Sequence, residues 1–227
     1  MADLVITIDG PAASGKSTVA RLLADRLGVS LLDTGAMYRA VTLAAMEAGI
    51  DITDEDDLLE VLDTRRFEFS VVQGVTEAYI DGVDVTDRIR DPEVTAKARH
   101  IASARRVRQR LVEMQRRLAG GRRKIVTEGR DQGTVAFSDA DVKFYLTADA
   151  GERARRRRAD LRARGIDESV EQVQRTIESR DSSDERRAAG PLKPAPDAII
   201  IDTTNLGIEE VVEKVLSLVR ERCSEKL

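Results

Sequence analysis

Two hydrophobic rhythms alternate along this chain, and they predict different elements. Short apolar runs rich in β-branched residues mark buried strands. LVITID at Leu4–Asp9, closed by a Gly-Pro turn, is the first, and residues 30–32, 124–127, 142–146 and 198–201 follow. Elsewhere apolar residues recur every three or four positions, the spacing of a helix with one buried face. Val19, Leu22, Leu23 and Leu27 predict such a helix over Lys16–Leu27, stopped by Gly28. Further helices are expected over residues 36–48, 150–164, 169–179 and 208–222, and Thr53-Asp54-Glu55-Asp56 is an acidic helix start that suits the helix dipole. Pro92 opens a long amphipathic stretch, broken at most once, that runs to about Leu118 before Gly120-Gly121. Ahead of it lie strand-like pieces at Phe67–Val72, 76–80 and 83–85, joined by the turn signals Gln73-Gly74 and Asp81-Gly82. These read as a small antiparallel insertion.

Strands alternating with helices imply an α/β fold, with five parallel strands covered by helices on both faces. At 227 residues the chain suits one sizeable core plus insertions. The most loop-like stretch, Gly190-Pro191-Leu192-Lys193-Pro194-Ala195-Pro196, is too short to link two domains, and no internal repeat is present.

Composition adjusts this picture in a few places. Aromatic residues are only 3% and Trp is absent, so Leu, Val, Ile and Ala must fill the interior. The net charge of −4 argues against a surface built as a whole for nucleic acid. Positive charge is nevertheless concentrated over residues 99–124 and in the four consecutive arginines at 155–158. Cys223 is the single cysteine, which excludes an intramolecular disulfide and a thiolate metal cluster. No apolar run approaches the roughly 18 residues of a membrane span. Met1-Ala2-Asp3 lacks the basic start of a signal peptide, so a cytoplasmic protein is expected.

The strongest chemical signal is Gly10-Pro11-Ala12-Ala13-Ser14-Gly15-Lys16-Ser17, which fits G-x-x-x-x-G-K-[ST] between a strand and a helix. Glycines allow a tight turn whose N–H groups point at phosphate oxygens, and the helix N-terminus adds its dipole. Lys16 is placed to reach β- and γ-phosphates, Ser17 to ligate Mg²⁺, and Thr18 follows in the same turn. The pattern specifies the triphosphate donor and leaves the acceptor open. A GTPase would carry an N-K-x-D base-reading motif, and none is present.

Three polar clusters compete for the acceptor role. Asp33-Thr34-Gly35-Ala36-Met37-Tyr38-Arg39 follows the second strand, and Glu128-Gly129-Arg130-Asp131-Gln132-Gly133-Thr134 ends another. Strand C-termini of an open α/β sheet are where ligands collect. The third cluster, residues 180–187, follows a predicted helix.

Taken in order, I-D-G-P-x-x-S-G-K-S, L-D-T-G-A-M-Y-R, V-R-x-R-L, E-G-R-D-x-G-T-V and R-D-x-x-D-x-x-R…P-L resemble the bacterial cytidylate kinases, of the nucleoside monophosphate kinase group, over nearly the whole chain. The resemblance implies a P-loop kinase fold with its core at about residues 1–36, 105–150 and 166–227. It also implies a monophosphate-binding insertion at about 37–104 and a helical lid at about 151–165. The implied reaction moves the γ-phosphoryl of ATP to CMP or dCMP with Mg²⁺, in a chain that is generally monomeric and binds neither nucleic acid nor membrane. By position, Arg39, Arg130 and Arg187 would hold the acceptor phosphate, and Arg180 and Asp184 would face the ribose. Arg108 and Asp131 would read cytosine, with Thr34 and Tyr38 beside the nucleotide. Lys16, Arg130, Arg187 and Arg157 would form the catalytic set. One position departs: Arg99 stands where several relatives carry a base-contacting serine, and Ser103 lies one turn further on.

The attacking atom of such a reaction is an ionised phosphate oxygen, so no general base is required, and the sole histidine, His100, reads as a helix-surface residue. Two unit charges at ~4 Å repel by about 4 kcal/mol at an effective dielectric of 20, so cations must converge on the site. The arginine-rich lid helix offers several, and Arg153 and Arg157, four apart on one face, are expected to touch ATP. Two other readings are weaker. A kinase for UMP, AMP, dTMP or shikimate fits less of the chain. A nucleic-acid binder using residues 99–124 would need stacking aromatics, which that stretch lacks. A nucleotide sensor without turnover is opposed by the complete lysine, serine and arginine set.

Overall fold

The computed structural model describes residues 2–72 and 75–226, so the expected Gln73-Gly74 turn lies outside the described residues. Five strands form one parallel sheet: β1 (Leu4–Asp9), β2 (Ser30–Asp33), β6 (Lys124–Gly129), β7 (Val142–Thr147) and β8 (Ile199–Asp202). Their order across the sheet is β2-β6-β1-β7-β8, which places β1 in the centre. Side chains alternate across a strand, so β1 serves two cores at once. Leu4, Ile6 and Ile8 pack with α1 (Lys16–Leu27) and α8 (Ile208–Cys223), and Cys223 is buried among them. Val5 faces the opposite core, built on α2 (Thr34–Ala48), α3 (Glu55–Thr64) and α5 (Arg105–Gly120). The two-faced α/β sheet expected from the strand rhythm is present.

The insertion is a second sheet of three antiparallel strands, β3 (Phe67–Val72), β4 (Val75–Ile80) and β5 (Val83–Asp84). Ala78 and Ile80 pack it against Ala36, Ala40 and Ala44 of α2. Its second turn is Asp81-Gly82, both with positive φ (52° and 80°), the backbone that a tight primed hairpin turn demands. The long amphipathic stretch is two helices, α4 (Pro92–Ser103) and α5, parted at Ala104, which adopts an extended conformation.

One expected boundary needs correction. Residues 180–185 do not follow a helix but form the last turns of α7 (Val170–Glu185), which the Ser169–Gln172 capping box opens. Serines and aspartates signal a loop locally. Here Asp181 and Asp184 find tertiary partners, and no Gly or Pro intervenes before Gly190. Preceding α7, α6 spans Ala150–Arg162 and packs its Ala154 and Leu161 against Val173 and Ile177. No helix among the described residues is long and apolar enough to cross a membrane.

Candidate active site

The C-terminal ends of β1, β2 and β6 open into a cleft of about 610 Å³. At its floor the P-loop wraps from Gly10 to Lys16. Gly10 has φ 152°, and a Cβ there would lie 2.1 Å from the Leu146 carbonyl oxygen, so only glycine fits. Ala13 and Gly15 also have positive φ (59° and 87°), which turns the loop tightly into α1. Lys16 is buried, its Nζ donating to the Pro11 carbonyl at 3.1 Å. Burial, aided by the nearby Arg130 charge, pulls its pKa down to about 7. Ser17 Oγ donates to Glu128 Oε1 at 2.8 Å. Burial and the neighbouring Asp33 carboxylate push Glu128 upward.

Opposite the P-loop stand the acceptor candidates. Arg39, Arg130, Arg180 and Arg187 all line the cleft with Lys16, although they come from α2, the end of β6, α7 and the turn after it. Arg130 Nε donates to Asp184 Oδ2 at 3.0 Å, and Arg187 Nε to the Asp184 carbonyl at 3.3 Å. Those bonds leave donors over: Arg39 Nε and Arg187 Nη2 are buried without a protein partner. Buried donors are rarely left so, and an anion in the cleft would satisfy them. Burial, then the Arg130 charge, lowers even the Arg180 guanidinium to about 10.

At the end of the cleft, Arg108 and Asp131 form a direct ion pair with side chains only 4% and 5% exposed. Arg108 Nη1 also donates to Tyr38 Oη at 3.1 Å, and its guanidinium carbon sits 5.7 Å from the Tyr38 ring centroid. Gly190 closes over this pair, since a Cβ there would come within 2.0 Å of Arg108 Nη2. Thr34 Oγ1 donates to the Glu128 carbonyl at 2.7 Å, tying the start of α2 to β6. A buried donor-and-acceptor pair thus lines the same cleft as arginines whose donors lack protein partners.

The cytidylate kinase family model matches residues 6–221. A cytidylate kinase from Rhodopirellula baltica is 46% identical over 218 residues, covering 96% of this chain and 93% of that one. Another from Desulfitobacterium hafniense is 45% identical over 221 residues, covering 97% and 94%. The chain belongs to the cytidylate kinase family. In fold alone it resembles an uncharacterized protein from Eubacterium ventriosum, with a TM-score of 0.50 and 13% identity over 96% of this chain and 99% of that one.

For a member of the cytidylate kinase family, most residues expected from the sequence converge. The P-loop side chains from Ala12 to Thr18 line the same cleft as Thr34, Tyr38, Arg39, Arg108, Arg130, Asp131, Arg157, Arg180, Asp184 and Arg187. Arg153 does not. Its Nε donates to the Ala148 carbonyl at 3.0 Å, its Nη1 to the Ala12 carbonyl at 3.1 Å, and it pairs with Asp181. Asp181 in turn accepts the Ala12 N–H at 3.1 Å, so Arg153 and Asp181 grip both sides of one P-loop residue. The expectation that Arg153 faces the triphosphate therefore gives way to a role in shaping the loop that does. Its helix neighbour Arg156 lines the cleft beside Gly15 and donates to Thr203 Oγ1 at 2.9 Å and the Thr203 carbonyl at 2.6 Å. Thr203, Leu206, Ile208 and Val211, after β8, form the wall there. No local motif marks these residues, since only the fold brings the end of β8 to α6. Arg99 lines the cleft from α4, whereas Ser103 donates to the Arg99 carbonyl at 2.9 Å and stays off it.

Proposed function

We propose that this chain transfers the γ-phosphoryl group of ATP to CMP or dCMP, giving ADP and CDP or dCDP, with the residues placed as follows. The observation that carries the reading is the buried Arg108–Asp131 pair set beside Tyr38, one cleft away from Lys16. Arg108 donates to the O2/N3 edge of cytosine, and Asp131 accepts from its exocyclic amine. Uracil has an oxygen where cytosine has that amine, so two acceptors would face each other, which rejects it. Arg39, Arg130 and Arg187 hold the acceptor phosphate, and the unpartnered donors of Arg39 and Arg187 supply hydrogen bonds there. Arg180 and Asp184 face the ribose. The P-loop N–H groups from Ala13 to Ser17 cradle the donor phosphates, and the Arg156–Thr203 wall takes the adenine end.

Chemistry follows from charge alone. The acceptor phosphate oxygen is already ionised, so no base is needed, and no histidine lines the cleft. Lys16, Arg130, Arg187 and Arg157 spread over the transferring group the positive charge that two polyanions require. Ser17, Glu128 and Asp33 present oxygen ligands at the P-loop. That hard donor set fits Mg²⁺, which retains water and phosphate ligands. No cluster of three or more His, Cys, Asp or Glu that could cage a metal occurs among the described residues. Held by these residues, Mg²⁺ would supply neutralisation of phosphate charge. The insertion at about 37–104 and the lid at about 151–165 close on the acceptor and donor and exclude water.

The test is ADP release from ATP and Mg²⁺ with CMP, dCMP, UMP, AMP, dTMP and shikimate supplied separately. Turnover confined mainly to CMP and dCMP is the expected result. Comparable UMP turnover would remove the base-reading role of Asp131, and turnover with shikimate alone would remove the nucleotide acceptor altogether.

A further inference from the structure

The reaction as described makes no use of Asp9, the last residue of β1, although it is a carboxylate only 4% exposed. A buried acid without a cation paired to it is costly, and such a group is retained where its hydrogen bonds do something an apolar residue cannot. No ion pair is formed by Asp9 among the described residues; its side-chain bonds go to main-chain N–H groups. Oδ1 accepts the Gln132 N–H at 2.9 Å, and Oδ2 accepts the Gly133 N–H at 2.8 Å. The backbone of Asp9 meanwhile sits in register with Gly129 of β6. Arg130 and Asp131 are the two residues between those attachments. One residue of the P-loop strand thus brackets both acceptor-binding side chains, by its main chain before them and its carboxylate after them.

The segment held in this way is irregular. Gln132–Ala136 forms a single π-helical turn, in which the N–H groups of Val135 and Ala136 both point at the Asp131 carbonyl. Such turns are rare and are found frequently at functional sites. A second anchor lies directly behind: Thr127 Oγ1 donates to Gln132 Oε1 at 2.9 Å, with both side chains fully buried. Thr7, two residues before Asp9 on the same face of β1, packs tightly on Gly133, where a Cβ would lie 3.0 Å from Thr7 Oγ1. The charged groups facing Asp9 are Arg130 and Asp131 themselves.

We infer that Asp9 is a positioning residue for the acceptor, holding the Arg130–Asp131 arm in the place where it meets the monophosphate and its base, with Gln132 as the supporting anchor. The inference rests on the acceptor reading above for the names of the groups, and on the hydrogen bonds alone for the clamp. It has an unusual signature. Asp9 immediately precedes Gly10, so general damage from its loss would fall first on the ATP site. Loss of the clamp would instead fall on the acceptor, which lies farther along the sheet.

The experiment uses the full chain with Asp9→Asn, which keeps the side-chain shape but replaces one acceptor oxygen with an NH2 donor, so that only one of the two N–H bonds can be kept. KM is measured for ATP, and separately for whichever acceptor the unaltered enzyme turns over best, with kcat for each. A displaced arm should raise the acceptor KM roughly tenfold to a hundredfold, the range expected when a positioning group moves by about an ångström. The ATP KM should stay within about twofold, and discrimination between CMP and UMP should fall. A rise in ATP KM equal to that of the acceptor, or no change in either, would overturn the clamp. If Asp9→Asn does not fold, Thr127→Val removes the second anchor without changing side-chain shape, and the same split, smaller in size, is required of it. Should the best acceptor prove not to be CMP, the reading of function falls while the KM split still decides the clamp.

Discussion

Lys16 shows how much a single residue's surroundings change its chemistry. Burial, with Arg130 beside it, lowers its ammonium from the usual lysine value to about 7. A triphosphate in the P-loop restores the stability of the charged form, so binding must draw a proton from solution once the pH passes about 7. The sign follows from linkage: the bound state holds more protons than the free state, so ATP affinity falls as pH rises from about 7 toward 8.5. Calorimetric titration with Mg²⁺-ATP at pH 8, in buffers of different ionisation enthalpy, should show net proton uptake. Lys16→Arg, which stays charged across this range, should show none. A buffer-independent enthalpy in the unaltered protein would contradict the lowered value.

At the scale of elements, α6 carries two arginines with opposite duties, and their loss should look different. Arg153 is buried against Asp181 and the Ala12 carbonyl. Its replacement by Ala strands the Asp181 carboxylate, a change that typically costs about 3–5 kcal/mol. Urea unfolding of Arg153→Ala should therefore show a large loss of stability. Arg156 is only partly buried and reaches the cleft wall at Thr203. Arg156→Ala should raise the KM for ATP by roughly tenfold, leave the CMP KM nearly unchanged, and alter stability by less than about 1 kcal/mol. A reversal of these two phenotypes would mean that the helix presents its other face to the nucleotide. Spacing on the helix made Arg153 and Arg157 look equivalent, because residues four apart share a face. Spacing cannot tell which end of that face meets α7 and which meets solvent, and that difference separates a loop-shaping arginine from a cleft arginine.

For the molecule as a whole, the sheet joins two cores, and its central strands carry the stability of both. Phe144 on β7 is 1% exposed within the core shared by α1 and α8. Truncation of a buried Phe to Ala commonly costs about 3–5 kcal/mol, a large part of the roughly 5–15 kcal/mol available to a folded domain. Phe144→Ala should lower the midpoint of denaturant unfolding strongly without shifting the acceptor preference of any protein that remains folded. A changed acceptor preference would mean that this core is coupled to the cleft more directly than through the sheet.

The amino-acid sequence alone determined the parts of this protein that are local. Strand runs, helix periodicity and the P-loop were legible because each is decided by residues within a few positions of one another, through backbone sterics and side-chain alternation. The resemblance pointed to candidate acceptor residues for a related reason: Arg39, Arg108, Asp131 and Arg187 stand within short motifs, whatever lies between them. Tertiary structure alone decided which of these side chains are already engaged. It carried α7 through the Ser-Asp cluster, because Asp181 and Asp184 bond across to Arg153 and Arg130 rather than to their own backbone. It also brought Thr203 to Arg156 and the Asp9 carboxylate to Gln132 and Gly133, pairs separated by dozens of residues. Such bonds depend on strand order and register, which a linear pattern of hydrophobic and polar residues does not encode.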